Sequence, residues 1–381
     1  MASMARGYDV IVAGVGAMGS AACWRLAQRG VRVLGLERFA MPHRMGSSHG
    51  VNRIIRLAYF EHPAYVPLLL RAYELWRDTE RAAGEQLLHI TRALDVGRPS
   101  GRLVSGALES CRTHNLAHEV FDAAETMRRF QAYRIPSDFV ALVEPQGGFV
   151  ACEAAVTAQA RLARHAGADI HECEPMIEWS ATASGVRVRT ERATYEAGRL
   201  ILSSGAWIGE HLPELRGKAV AERQALGWFE VKQPEIFTPS RFPVSILETE
   251  DGNHPYQFPE WGMPGFKIGY YNHLKERGAA DTLSRETNAK DEALLRGIVE
   301  RYFPQAAGRT LDLQTCLFTN TRDEHFVVDV LPSTPQVVVA SPCSGHGFKF
   351  ASVMGEILAD FATGKRSRFD LSLFALSRPG L

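Results

Sequence analysis

The sequence predicts an α/β chain, α+β overall, in two parts: one built from segments at both ends of the chain, and a strand-rich part set between them. Three observations carry this. A strand, a glycine-rich turn, a helix and a second strand open the chain within about 30 residues, the length of one β-α-β unit. Apolar strand and helix patterns of the same kind return near the C-terminus. The middle of the chain instead alternates apolar and polar residues, as half-buried antiparallel strands do. A length of 381 residues fits two intertwined domains better than one.

Residues 9–13 are apolar and β-branched and read as the first strand; residues 20–29 follow as a helix closed by Gly30, and residues 31–36 as the second strand. Residues 65–80 repeat Leu68, Leu69, Ala72, Leu75 and Trp76 at helical spacing. Residues 154–165 predict another helix, stopped by Gly167. Strand patterns follow at 186–190, 194–196, 199–202, 227–232, 244–248 and 266–270. Residues 289–301 predict a helix, 337–340 a buried strand, and 352–363 a closing helix before Gly364.

Lys plus Arg number 43 and Asp plus Glu 43, so the chain has no net formal charge. That balance offers no electrostatic reason to expect nucleic acid or an anionic membrane as partner. No apolar run is long enough for a membrane helix. The first residues do not read as a secretory signal, because Asp9 and three glycines interrupt the apolar stretch. The six cysteines form no CxxC pair and suit reduced thiols. The expectation is a cytoplasmic protein with no metal site.

Gly14-x-Gly16-x-x-Gly19, with Ala17 and Met18 inside it, joins strand to helix. In such a turn the first glycine makes the bend, the second lets a pyrophosphate approach the backbone, and the third packs helix on strand. The helix N-terminus adds amide donors and a positive dipole end. Glu37, 23 residues after Gly14, ends the second strand, and Arg38 follows it. An acid there accepts ribose hydroxyls and disfavours a 2′-phosphate. The unit predicts a dinucleotide site and leaves FAD and NAD both open.

Four more features can carry chemistry. Ser47, Ser48 and His49 lead into Asn52, Arg53 and Arg56. Two guanidiniums in one site hold a carboxylate or complement a reduced flavin; the spacing equally suits two solvated arginines, and His49 alone reads as structural. Lys267 interrupts an apolar strand, where a lysine faces either solvent or a pocket. Cys316 lies alone in an apolar stretch, as a small core residue does. In Ser344-Gly-His-Gly-Phe-Lys-Phe350, Gly345 and Gly347 let backbone approach a flat ring, with His346 between them and Lys349 as a nearby cation; a simple strand-to-helix turn reads the same way.

In order, YDVIVAGVGAMGS, SSHGVNRIIRLAY, RQALGWF, GFKIGY, the Cys316 segment with TRDEHFVVD, and SGHGFKF resemble the monomeric sarcosine oxidase and N-methyltryptophan oxidase family, flavoenzymes of the D-amino-acid oxidase superfamily with pipecolate oxidases as relatives. The resemblance spans nearly the whole chain. It implies an FAD-binding, Rossmann-like domain of the glutathione-reductase kind over 1–85, 146–215 and 315–381, and a substrate domain with a large mixed or antiparallel sheet over 86–145 and 216–314. It implies that Cys316 bonds the flavin 8α-methyl through sulfur, that Lys267 activates oxygen, and that Arg56 and Lys349 bind the substrate carboxylate. Arg53 is expected beside the flavin ring, Tyr256 in the pocket wall, and Gly345 and His346 against the ring.

The chain departs from the sarcosine oxidases at Tyr271, where they carry histidine, at Phe318, where they carry tyrosine, and at Asn52, where they carry threonine; Tyr271, Phe318 and Asn52 are expected around the substrate. Ser47 to Gly50 look more like the pipecolate oxidases. The implied activity is oxidation of a secondary amino acid, sarcosine or another N-methyl amino acid, to an imine, with O2 reduced to H2O2 by a monomer. A cyclic imino-acid oxidase of pipecolate or proline type and a flavin dehydrogenase with a non-oxygen acceptor are the alternatives.

Overall fold

The computed structural model describes residues 7–381. Tyr8–Ala13 lies between Val33–Leu36 and Thr194–Leu202, parallel to both. Its residues Val10 to Ala13 are buried, as a parallel strand covered on both faces requires. Val337–Ser341 extends the sheet in parallel beyond Thr194–Leu202, Val327–Val330 closes that edge antiparallel, and Asp169–His171 extends the other edge. Helices Ala17–Ala27, Cys152–His165 and Ala351–Ala362 share one apolar core with this sheet, joined by Val66–Ala83. The parallel sheet with its glycine-turn crossover has the β-α-β architecture that the sequence predicts.

The second sheet runs in the order Arg277–Gly278, Val220–Phe229, Phe266–Tyr270, Pro255–Phe258, Val244–Leu247, Ala93–Gly97, Val140–Glu144, Glu119–Asp122, with Thr310–Asn320 paired along Val220–Phe229. It is antiparallel except where Val244–Leu247 meets Ala93–Gly97, so it is the mixed sheet expected. Its far face packs Phe229, Phe242, Phe266 and Phe303 with Leu295 and Val299 of helix Ala289–Tyr302. Register sets the near face. Tyr256 pairs with Gly269 and Ile246, Lys267 with Phe258 and Trp228, Cys316 with Gln224, and Phe318 with Glu222. Side chains alternate along a strand, so these residues share one face.

Several expectations are corrected. The first helix begins at Ala17, directly after Gly16, instead of residue 20. The strand expected at 227–232 is Val220–Phe229, which ends where its pairing with Thr310–Asn320 shifts register. Residues 194–196 and 199–202 are one strand that changes partner midway, from Val186–Arg189 to Val337–Ser341. A boundary at 315 cuts Thr310–Asn320, whose length is paired within the second sheet. A third sheet, Asn52–Ile55 with Gly148–Ala151 and Leu88–Ile90, had no sequence signal. Among the described residues no helix is long and apolar enough to cross a membrane, and no group of three or more His, Cys, Asp or Glu is placed to hold a metal.

Candidate active site

One continuous cleft runs from Gly14, Gly16, Ala17, Met18, Glu37 and Arg38, past Ser47 and Ser48, to Arg53, Arg56, Tyr256 and the Gly345–Lys349 turn. At its first end steric limits explain the glycines. Gly14 has φ +92°, and a Cβ there would lie 2.6 Å from the Ser203 carbonyl oxygen; at Gly19 it would lie 1.9 Å from that of Gly14. At Gly16 the nearest atom would be Ser48 Oγ at 3.4 Å, so the turn leaves open room over the helix N-terminus. The Ala17 amide donates to Ser48 Oγ at 3.2 Å. Glu37 is buried and accepts from the Val15 amide at 2.8 Å and the Phe39 amide at 3.1 Å, which holds its carboxylate at the end of the second strand. His49 is 1% exposed, and neither ring nitrogen has a partner. Burial first, then Arg53 and Arg44, push its pKa down to about 3, so the ring is neutral with a donor and an acceptor to spare. An open glycine turn at a helix N-terminus and a held acid fit a dinucleotide cofactor, whereas His49 does not line the cleft.

Farther along, Arg53 donates to the carbonyls of Asn52 at 3.0 Å and Ser47 at 3.2 Å and lines the cleft. Gly345 has φ +77°, and a Cβ there would meet Phe318 and Tyr271 ring carbons at 2.5 Å each. The Tyr271 hydroxyl donates to the Ser344 carbonyl at 2.7 Å, fixing its ring against Phe318. Tyr256, Phe318 and Tyr271 therefore form a wall of the cleft, the last two beside Gly345.

Two sequence-predicted residues lie just behind that wall. Lys267 is 2% exposed; its Nζ donates to the Gly50 carbonyl at 2.7 Å, the Asn52 carbonyl at 2.8 Å and Asn52 Oδ1 at 2.7 Å. Burial, then Arg53, push its pKa well down, while three acceptors engage all three protons of an ammonium. Asn52, expected at the substrate, is buried as the acceptor that orients Lys267. Cys316 is buried in an apolar group with Leu226, Trp228 and Phe318, against which Tyr256 packs. Burial pushes its thiol up, and Arg53, Lys267 and Arg223 pull it the other way.

At the far end Arg56 is 1% exposed and lies beside the Tyr59 and Phe60 rings, 4.5 and 4.8 Å from their centroids. Its Nη2 donates to Glu61 Oε2 at 2.8 Å and its Nη1 to the Ala58 carbonyl, while Nε has no partner. Glu144 accepts from the Leu57 and Ala58 amides at 2.8 and 2.9 Å, which pins the backbone that follows Arg56. Lys349, also buried, donates to the His346 carbonyl at 2.8 Å; burial first, then Arg56, push its pKa down to about 7. Burial raises the Glu61 carboxyl, but Arg56, His346 and Lys349 outweigh that and hold it below the usual range. His346 is neutral, pushed to about 4 mainly by burial; its Nε2 faces the Glu324 carbonyl at 3.0 Å, so Nδ1 accepts the Tyr59 hydroxyl at 2.6 Å. The result is an arginine and a lysine at one end of the cleft, with a carboxylate already paired to the arginine.

Sequence reading missed Glu61, Tyr59, Glu144 and the cleft-lining His254. Only Glu61 carried a signal, an acid five residues beyond Arg56 on the same segment. Glu144 is 88 residues from Arg56 and is brought there by the second sheet.

The chain has relatives among known proteins. A monomeric sarcosine oxidase of Streptomyces avermitilis is 41% identical over 374 residues, covering 96% of each chain. An N-methyl-L-tryptophan oxidase of Salmonella heidelberg is 34% identical, covering 97% of this chain and 99% of that one. The solved structure of NikD, described as an unusual amino acid oxidase essential for nikkomycin biosynthesis, superposes with a TM-score of 0.82 at 26% identity over 97% of both chains. Residues 9–361 match the FAD dependent oxidoreductase family, and the chain belongs to that family.

Proposed function

We propose that the protein is an FAD-dependent amine oxidase that oxidises a secondary amino acid at its C–N bond to an imine and passes the electrons to O2, forming H2O2. The observation that carries this reading is the burial of Arg56 and Lys349 together at the end of the cleft where Tyr256, Tyr271, Phe318 and Gly345 converge. FAD, when bound, supplies the two-electron acceptor. The protein's part is placement. Arg56 and Lys349 bind the carboxylate through charge-assisted hydrogen bonds and so fix the amine-bearing carbon. A ligand carboxylate takes the place of Glu61 on Arg56. Phe318, Tyr271, Ile246 and Phe258 line the site and limit water. Arg53 and Lys267 keep that side of the cleft positive, which favours the negative charge that develops as oxygen is reduced.

Cys316 is the proposed attachment point, through a thioether to the flavin 8α-methyl, in a cytoplasmic monomer. Its support is position: Cys316 shares one apolar group with Phe318 and Tyr256, both in the cleft wall. Acid precipitation tests it. Yellow colour should stay with the wild-type pellet and leave with the supernatant for Cys316→Ala; colour retained by the variant would refute the assignment.

Peroxide release in air-saturated buffer tests the activity, across sarcosine, N-methyl-tryptophan, N-methyl-alanine, L-proline and L-pipecolate. A secondary amino acid that bleaches the flavin anaerobically and yields peroxide in air supports the oxidase. Bleaching with turnover insensitive to oxygen would replace it with a dehydrogenase. The aromatic contact of Tyr271 and Phe318 over Gly345 favours a second reading of the substrate, a bulkier or cyclic amine. Poor turnover of sarcosine beside good turnover of pipecolate would select it.

A further inference from the structure

Asp95 has no part in the chemistry described so far. It lies in Ala93–Gly97, in register between Leu142 and Ile246, and Ile246 in turn pairs with Tyr256. The row therefore places Asp95 on the sheet face that covers the cleft. It is buried, and its Oδ1 has no hydrogen-bond partner. An unpartnered buried carboxyl oxygen is costly, and packing alone gives no reason to keep it.

The charges that act on Asp95 come from separate segments: Arg56 after Asn52–Ile55, Glu61 in the next loop, Glu144 at the end of Val140–Glu144, and Lys349 on the turn Phe348–Phe350. The Cys111 thiol of helix Arg102–His114 also faces it, pushed up to about 12 mainly by burial. Glu144 is held by backbone amides and Glu61 by Arg56. Two basic side chains thus already face three carboxyls, and a ligand carboxylate adds a fourth. Resting on the carboxylate-pocket reading above, we propose that Asp95 is a positioning residue that takes up one proton from solvent as the substrate carboxylate enters, so that the new negative charge is cancelled and Arg56 can turn from Glu61 to the ligand. Burial, against the pull of Arg56, pushes the Asp95 carboxyl up to about 7, so the proton is within reach near neutrality.

The test uses the flavin-loaded protein and thiophene-2-carboxylate, a carboxylate with no amine to oxidise. Binding is followed by flavin absorbance and by calorimetry at pH 7.5 in two buffers of different ionisation enthalpy. Wild type should take up more protons per bound ligand than Asp95→Asn, by roughly half to one proton. Asp95 is one of the charges that keep Lys349 protonated, so the same difference is also measured in a Lys349→Met background, where Lys349 contributes no proton. Equal uptake by the two would overturn the proposal. Infrared difference spectra of the wild type need no variant: ligand binding should produce a protonated-carboxyl band, and binding without that band counts against Asp95. Failure of any carboxylate to perturb the flavin would sink the carboxylate-pocket reading and this proposal with it.

Discussion

The two ends of the cleft are built on different principles. At the glycine-turn end the determinants are backbone: Gly14 and Gly19 leave no room for a Cβ, Gly16 leaves room for a ligand, and Glu37 is clamped by two amides. At the carboxylate end they are charged side chains from distant segments, Arg56, Glu61, Glu144, Asp95 and Lys349, buried close enough to shift one another. The first end is set by backbone sterics and clamped hydrogen bonds. The second holds exchangeable partners and titrates near neutrality. A cofactor that stays needs the former; a substrate that must enter and leave is served by the latter.

The contrast breaks most severely at Gly19. Gly19→Ala drives a methyl to within 1.9 Å of the Gly14 carbonyl, backbone against backbone, which cannot relax cheaply. The variant should lose about 3 kcal/mol or more of stability and should purify without flavin. Thermal melts and the visible spectrum check this; a yellow variant of near wild-type stability would show that the turn is not tight. Arg56→Met comes next. It should keep full flavin content and lose about 10²- to 10³-fold in kcat/KM, because it removes a buried charged partner of the substrate and strands Glu61. Loss of flavin in this variant would erase the proposed separation between the two ends.

What could be read from the chain follows the same division. The glycine turn, its flanking strands and Glu37 are contiguous, and each residue type is dictated by local sterics, so the β-α-β unit was legible. Arg56 and Lys349 were visible as residues, yet spacing alone could not tell a buried pair from solvated side chains; the resemblance to known flavoenzymes joined them. The strand pattern left Lys267 facing either solvent or a pocket, and the resemblance gave it the oxygen-activating role. In the fold it shares the cleft-side face of the sheet, but its ammonium is held by Gly50 and Asn52 behind the wall. That depends on a loop more than 200 residues earlier, and no local pattern records it. Asp95 and its strand carried no signal in the sequence reading, and only its buried, unpaired oxygen in the field of Arg56 marks it out.

The pH dependence sharpens the comparison at a smaller scale. The folded-state pKa of Lys349 is lowered from 10.5 to about 7, so folding disfavours its charged form, and the cost is largest below pH 7 and fades as pH rises. Carboxylate binding needs that charged form. Affinity for thiophene-2-carboxylate should be flat below about pH 7 and weaken above it, by up to about tenfold per pH unit for each proton taken up. Lys349→Met should bind more weakly at pH 6 and show a shallower slope above pH 7. Flavin content should not change across the same range, because the Lys349 and Asp95 groups lie at the other end of the cleft from the glycine turn. A slope that survives unchanged in Lys349→Met would assign the whole effect to Asp95.

The smallest effect is expected at the pocket wall. Tyr271→His removes one ring face from Gly345 and the hydrogen bond to the Ser344 carbonyl, worth about 1 kcal/mol of stability. Because Tyr271 touches neither Arg56 nor Lys349 through a hydrogen bond, carboxylate affinity should move by less than about threefold. Selectivity is where the change should appear. A smaller, polar ring over Gly345 should shift the ratio of kcat/KM for sarcosine against pipecolate toward sarcosine by about tenfold, the scale that a modest change in an apolar pocket commands. An unchanged ratio with unchanged stability would mean that the wall does not contact the substrate side chain. Discrimination would then lie with Phe60 and the stacked His254, which line the same cleft and whose rings lie 5.4 Å apart.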